Sequence, residues 1–206
     1  IKILKGLSQK FKKGKIYSLM GPSGSGKSTL LNIISLIDKP TSGSMKFDKF
    51  QIDFKNNEKN DIFRAAKIGI IYQQNNLLAD FTALENIYLA SLSLHNDKKL
   101  AISKAKQLLK LVKLSNRSDH YPSQLSGGEC QRIAIARAII NDPEVILADE
   151  PTGSLDMNTA KDVFKLLSSQ KKSNRLIIFA THNRFFAKKA DYLLEMTNGS
   201  VKTTNV

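Results

Sequence analysis

Short unbroken apolar runs punctuate the chain and are separated by longer segments of helical period. Lys15 to Met20 (Ile16, Tyr17, Leu19), Lys67 to Tyr72 (Ile68, Gly69, Ile70, Ile71), Val145-Ile146-Leu147-Ala148-Asp149 and Leu176-Ile177-Ile178-Phe179-Ala180 read as strands buried on both faces. Ile1 to Leu7 reads as a further strand, and Ser44 to Phe54, with Met45, Phe47, Ile52 and Phe54 apolar, as strands around a turn. Helical period appears over Ser28 to Ile34, over Ala83 to Leu114 in two pieces, from about Gly127 to Ile140, and over 158–170. Lys55 to Asp61 is wholly polar and is expected to be an exposed loop. Strands alternating with helices predict an α/β fold: a mainly parallel sheet flanked by helices, an antiparallel β part near the N terminus, and an inserted helical subdomain over about 75–140.

A length of 206 residues with 41% hydrophobic content suits a single domain, 1–206, built on one substantial core. The pattern carries no internal repeat, and no apolar run approaches the roughly 18 residues that span a bilayer. No signal-peptide pattern opens the chain, so a cytoplasmic home is expected. The one cysteine, Cys130, has no internal partner and is expected to be an ordinary helix residue rather than a catalytic thiol. Net charge is +14, which raises nucleic acid or an anionic membrane surface as partners. The lysines are nevertheless scattered, and no aromatic residues interleave them as in a stacking platform, so no stable nucleic-acid partner is expected. The lysine-rich helix from about Lys98 to Leu114 reads as a solvated amphipathic face.

Candidate chemistry begins where the first strong strand ends. Gly21-Pro22-Ser23-Gly24-Ser25-Gly26-Lys27-Ser28-Thr29 satisfies G-x-x-x-x-G-K-[ST] and falls in a strand-to-helix turn. Glycines let the backbone aim successive N–H groups inward, and the helix N terminus adds positive potential. Lys27 can then reach β- and γ-phosphates, and the Ser28 hydroxyl can ligate Mg²⁺. Asp149 and Glu150 follow a buried strand directly, which sets two carboxylates at a carboxyl edge beside the phosphate loop. Asp149 suits Mg²⁺, usually through water, and Glu150 suits polarisation of an attacking water.

With these residues in hand, the chain resembles the ATP-binding subunit of an ABC transporter over nearly its whole length. The motifs run in order: Gly21 to Thr29, Gln73, Leu125-Ser126-Gly127-Gly128-Glu129 with Gln131-Arg132, Leu147 to Thr152, Ser154-Leu155-Asp156, and Thr181-His182. The resemblance implies ATP hydrolysis with ATP and Mg²⁺ as cofactors, in a homodimer that sandwiches two nucleotides head to tail. It further implies that Ser126, Gly127 and Gly128 bind the γ-phosphate held by the other copy, and that Gln73 contacts Mg²⁺ and the attacking water. By the same resemblance, His182 binds the γ-phosphate and pairs with Glu150, while Asp156 runs along the dimer interface. His95 and His120 lack such context and are expected at the surface.

Phe81-Thr82-Ala83-Leu84-Glu85-Asn86, Leu36 to Gly43 and Leu194 to Gly199 are similar to the lipoprotein-releasing (LolD-like) and macrolide-exporter (MacB-like) group. That likeness implies integral membrane permease subunits as partners, a peripheral position on the cytoplasmic face of the inner membrane, and lipoprotein release as the task. The alternatives are another MacB-like exporter or mechanotransmitter complex, or an ABC ATPase acting on nucleic acid. Against the last stands the absence of inserted coiled coils or zinc-binding cysteines. Cys130 stands where the family often has glutamine and touches no proposed phosphate contact. Members stack adenine on an aromatic residue expected here upstream of Ile1, since Phe11 lies too close to the phosphate loop. The short tail to Val206 fits members without a C-terminal regulatory domain.

Overall fold

In a computed structural model of the chain, residues 3–205 are described. Six strands form the main sheet: β1 (Ile16–Met20), β4 (Ile68–Ile71), β5 (Val145–Asp149), β6 (Leu176–Ala180), β7 (Tyr192–Thr197) and β8 (Ser200–Asn205). Their spatial order is β4-β5-β6-β1-β7-β8, all parallel except β8, which returns antiparallel on β7. A separate antiparallel hairpin joins β2 (Lys46–Phe47) to β3 (Phe50–Gln51). The helices are α1 (Lys27–Ile34), α2 (Asn57–Lys67), α3 (Ala83–Leu92), α4 (Lys98–Leu111), α5 (Gly127–Ile139), α6 (Met157–Ser168) and α7 (Arg184–Ala187).

The unbroken apolar runs follow from coverage of both sheet faces. Successive strand residues point to opposite sides. Ile16, Ile146 and Ile177 therefore join one cluster with Val163, Phe164 and Leu167 of α6 and Ile135 of α5. Tyr17, Leu147 and Ile178 join another with Leu30 and Leu31 of α1. A third cluster holds Ile87 of α3, Ala105 and Leu109 of α4, and Ile133 and Ala136 of α5. Helix α5 thus packs on the sheet with one side and on α3 and α4 with the other. It comes so close to β4 that a Cβ on Gly69 would lie 2.2 Å from the Ala138 carbonyl oxygen.

Two expectations fail. Ile1 and Lys2 of the expected first strand lie outside the described residues, and Ile3 to Leu7 forms no strand. Gly6, at φ 62°, breaks the extended chain. This segment crosses the β7-β8 turn instead, where the Lys5 N–H donates to the Gly199 carbonyl at 2.9 Å. The polar stretch expected to be an exposed loop belongs largely to α2. Asn56 caps that helix by accepting from the Lys59 N–H, Glu58 sits in its first turn, and Arg64 and Lys67 sit in its last. Those charges complement the helix dipole, and Phe63 packs inward against the second cluster. The β7-β8 hairpin and the short α7 had no expectation.

Candidate functional site

The register of the sheet brings the chemistry-bearing segments to one edge. Leu19 of β1 is level with Ala180 of β6, and Ala180 is level with Asp149 of β5. Strand β6 lies between β1 and β5, so the phosphate loop and the acidic pair stand two strand spacings apart, roughly 10 Å. Three carboxyl ends therefore open side by side: Gly21 onward after β1, Glu150 after β5, and Thr181-His182 after β6.

Helix α1 differs from its neighbours at its start. Helices α2 to α7 each have a side-chain oxygen from Asn56, Thr82, Asp97, Ser126, Asp156 or Asn183 accepting a first-turn N–H. Gly26, at φ 100°, precedes α1 without any side-chain cap, and its first turn holds no acidic residue. These N–H groups are left for an external acceptor. Lys27 is buried, and its Nζ donates to the carbonyls of Gly21 and Pro22 at 2.8 and 3.0 Å, which folds the loop around its own ammonium group. Ser25 Oγ is buried beside them with no hydrogen-bond partner among the described residues. Pro22, Ser23, Gly24 and Ser28 lie toward solvent, while Thr29 is partly buried. A Cβ on Gly21 would lie 2.3 Å from the Met196 carbonyl oxygen, so only glycine permits this approach.

Glu150 takes a left-handed backbone conformation, φ 46°, that a non-glycine residue rarely adopts. Its N–H donates to the Ala180 carbonyl at 3.1 Å, and the His182 N–H donates to its Oε2 at 3.3 Å. His182 Nε2 stands 3.0 Å from Glu150 Oε1, yet Oε1 is buried and accepts no well-formed hydrogen bond. Burial pushes the Glu150 carboxyl above the usual carboxylate range, against the opposing pull of His182. An open cleft of about 260 Å³ runs past this pair and is also lined by Gln73, Thr152, Gly153 and Asn183. Gln73 is exposed, and its amide nitrogen would stand 3.2 Å from a Cβ on Gly153. Asp149 is partly buried and borders a small recess with Asn32, Ser35 and Tyr72.

Ser126, Gly127 and Gly128 open α5. Ser126 Oγ accepts from the Glu129 N–H, while Glu129 accepts from the Ser126 N–H and holds Arg117 at 3.1 Å. Ser126 and Gly127 are exposed; Gly128 is buried, and a Cβ there would lie 2.3 Å from Thr159 Cγ2 of α6. Asp156 caps α6 by accepting from the N–H groups of Asn158 and Thr159. Cys130 lies buried on α5 with its thiol pushed up by burial, as befits an unreactive helix residue. His95 is exposed as expected, but His120 is partly buried, with Nε2 3.2 Å from Arg117.

Two polar side chains escaped sequence reasoning. Buried Asn86 donates to the carbonyls of Leu78, Phe81 and Thr82 and accepts from the Leu78 N–H, shaping the segment after Gln73. Arg137 donates to the carbonyls of Asn75 and Asn76. Each sits inside a helix, where an isolated polar residue looks like solvated surface; the only signal was its place on a face that is otherwise apolar.

Comparison with known proteins gives the family. Residues 4–153 match the family model described as ABC transporter. The lipoprotein-releasing system ATP-binding protein LolD of Ehrlichia ruminantium is 43% identical over 204 residues, covering 98% of this chain and 90% of that protein. An uncharacterised ABC transporter ATP-binding protein of Methanocaldococcus jannaschii is 40% identical, covering 96% of this chain and 88% of its own length. The dimeric structure of a post-hydrolysis state of an ATP-binding cassette, bound to ADP and Pi, superposes with a TM-score of 0.90 at 36% identity, covering 98% of this chain and 90% of that one. The chain therefore belongs to the ABC transporter family, as an ATP-binding subunit whose ATP hydrolysis is coupled to transport.

Proposed function

We propose that the chain binds Mg²⁺ and ATP at the phosphate loop of one copy and hydrolyses the ATP against the α5 N terminus of a second copy. The work drives integral membrane permease subunits that release lipoproteins. The observation that carries this reading is the unsatisfied start of α1, headed by a buried lysine, at the same sheet edge as Glu150 and His182. In this role Gly21 to Gly26 wrap the phosphates with backbone N–H groups, Lys27 spans the β- and γ-phosphates, and Thr29 closes the loop into α1. The unpartnered Ser25 Oγ fits an anionic guest.

Ser28, Gln73 and Asp149 offer the hard oxygen donors that suit Mg²⁺. Among the described residues no group of three acidic, histidine or cysteine side chains is placed to hold a metal ion by itself. The ion, when bound, supplies charge neutralisation at the phosphates. Glu150 accepts a proton from water, or orients it, through its unpartnered Oε1, and His182 holds that carboxylate while facing the γ-phosphate. Ser126, Gly127 and Gly128 meet the γ-phosphate in trans, and Asp156, at the exposed start of α6, runs along the contact between copies.

The same reading makes 1–206 one nucleotide-binding domain with a helical subdomain over about 75–140. Peripheral attachment at the cytoplasmic face of the inner membrane fits the lack, among the described residues, of any helix long and apolar enough to cross a membrane. Lipoprotein as cargo rests on the names of the bacterial relatives. Another MacB-like exporter or mechanotransmitter complex is the alternative, and the similar archaeal relative of unassigned role keeps it in play.

Mixing two defective proteins tests the shared site. Ser126→Arg blocks the trans contact and Lys27→Ala the cis contact, so each homodimer has two damaged sites. A mixed dimer collects both defects in one site and leaves the other intact. Recovery of ATPase activity on mixing supports sites shared between copies; no recovery, with mixed dimers shown to form, means that each copy hydrolyses ATP alone or that both sites must work together.

A further inference from the structure

The segment around Gln73 is tied to α5 at two levels, one before it and one after it. Gln131, buried on α5, donates from Nε2 to the Tyr72 carbonyl at 3.3 Å, one residue before Gln73. About one and two-thirds turns further along the same helix, Arg137 donates from Nη1 to the Asn76 carbonyl and from Nη2 to the Asn75 carbonyl, both at 2.6 Å. No carboxylate pairs with Arg137 among the described residues, and burial pulls its guanidinium below the ordinary arginine range. Its donors are thus committed to main-chain oxygens. The backbone they hold is costly in itself, since Asn75 and Asn76 are consecutive non-glycine residues at φ 51° and 46°.

We propose that Arg137 is a positioning residue for ATP hydrolysis: it locks the Asn75-Asn76 turn to α5 and so sets Gln73 at the mouth of the Glu150 cleft. The proposal rests on the role given above to Gln73. Helix α5 is well placed for the task. Gly69 and Gly128 allow it close approach to β4 and to α6, which fixes it relative to the sheet. Its N terminus carries Ser126 and Gly127, proposed to meet the other copy's nucleotide. Arg137 thereby acts on the site through the Asn75-Asn76 turn rather than by touching substrate.

A double-mutant cycle on the full chain tests this, with steady-state ATPase rates, nucleotide dissociation constants and thermal midpoints measured together. Arg137→Met keeps the apolar stem and removes the donors. It is expected to lower kcat by about tenfold while ATP affinity stays within about twofold, as befits a misplaced rather than missing contact. In a Gln73→Ala background the same substitution is expected to change kcat by less than about twofold. Arg137→Lys, which can reach one carbonyl only, is expected to give a smaller loss with the same dependence on Gln73, and it replaces Arg137→Met if that variant fails to fold. Equal losses in both backgrounds, or a loss of affinity in step with kcat, overturn the positioning role. A Gln73→Ala single variant with wild-type kcat overturns the assignment of Gln73 itself, and the proposal with it.

Discussion

His182 meets Glu150 twice, through its backbone N–H on Oε2 at 3.3 Å and through Nε2, 3.0 Å from Oε1. Both contacts follow from strand register. Asp149 lies level with Ala180, so the residues just past the ends of β5 and β6 leave the sheet together. The left-handed turn at Glu150 sets its carboxylate against the segment after β6 rather than along its own strand. One oxygen is thereby held, and the other is buried beside the imidazole without a well-formed bond to the chain.

The seating of α5 depends on Gly69. A methyl group there would press on the Ala138 carbonyl, and backbone cannot rotate away as a side chain can. Gly69→Ala is expected to destabilise the chain by about 1–3 kcal/mol. Urea unfolding should show a lower midpoint with an unchanged slope. A midpoint equal to wild type would mean that α5 sits further from β4 than described.

Stability should fall in acid. Lys13 and Lys67 hold the Glu144 carboxyl below its ordinary range. At Asp191 burial acts upward, but Lys171 and the Ile16 N–H outweigh it and the net shift is downward. Lowered folded-state values mean that both groups stabilise the fold above the ordinary carboxylate range near about 4, and that this stabilisation is lost as pH falls through their lower folded values. Glu150 works in the opposite sense, because its raised value makes ionisation unfavourable to folding. The expected outcome is a thermal midpoint that drops between pH 6 and pH 3, with a smaller drop in Asp191→Asn. A drop of wild-type size in that variant would remove Asp191 from the account.

Leu78 and Phe81 are 48% and 39% exposed, whereas Leu77 and Leu84 pack into the third cluster. Asn86 holds the loop that presents the two exposed side chains, and an ordered apolar surface beside Gln73 suits a permease subunit. Leu78→Glu should change the stability of the isolated chain by less than about 0.5 kcal/mol, as at an ordinary surface position. ATP binding should persist, while copurification with the membrane subunits and transport are lost. Unfolding of the isolated chain, or undiminished copurification, would count against a docking role.

The parallel sheet was legible because both its faces are covered, which leaves unbroken apolar runs such as Leu176 to Ala180. The strand-to-helix turn at Gly21 to Lys27 was legible because glycines, a lysine and a hydroxyl recur there at fixed spacing between an apolar strand and an apolar helix. Helix α2 was not, since its stability comes from the Asn56 cap, the dipole-matched charges and a few inward contacts such as Phe63, none of which makes an apolar stripe. The opening segment misled in the opposite way: Leu4 and Leu7 are apolar because they pack against the second cluster, not because they pair in a ladder. The Arg137 contacts were invisible because they join α5 to carbonyls some 60 residues earlier, and a carbonyl leaves no mark in sequence.

The central claim is that Glu150 activates water for ATP held at Lys27. Glu150→Gln keeps the shape of the side chain and removes its basicity. With Mg²⁺ and ATP, the variant should bind nucleotide as wild type does, hydrolyse it at least about 100-fold more slowly, and accumulate as an ATP-bound dimer by light scattering. Turnover at the wild-type rate would contradict the account.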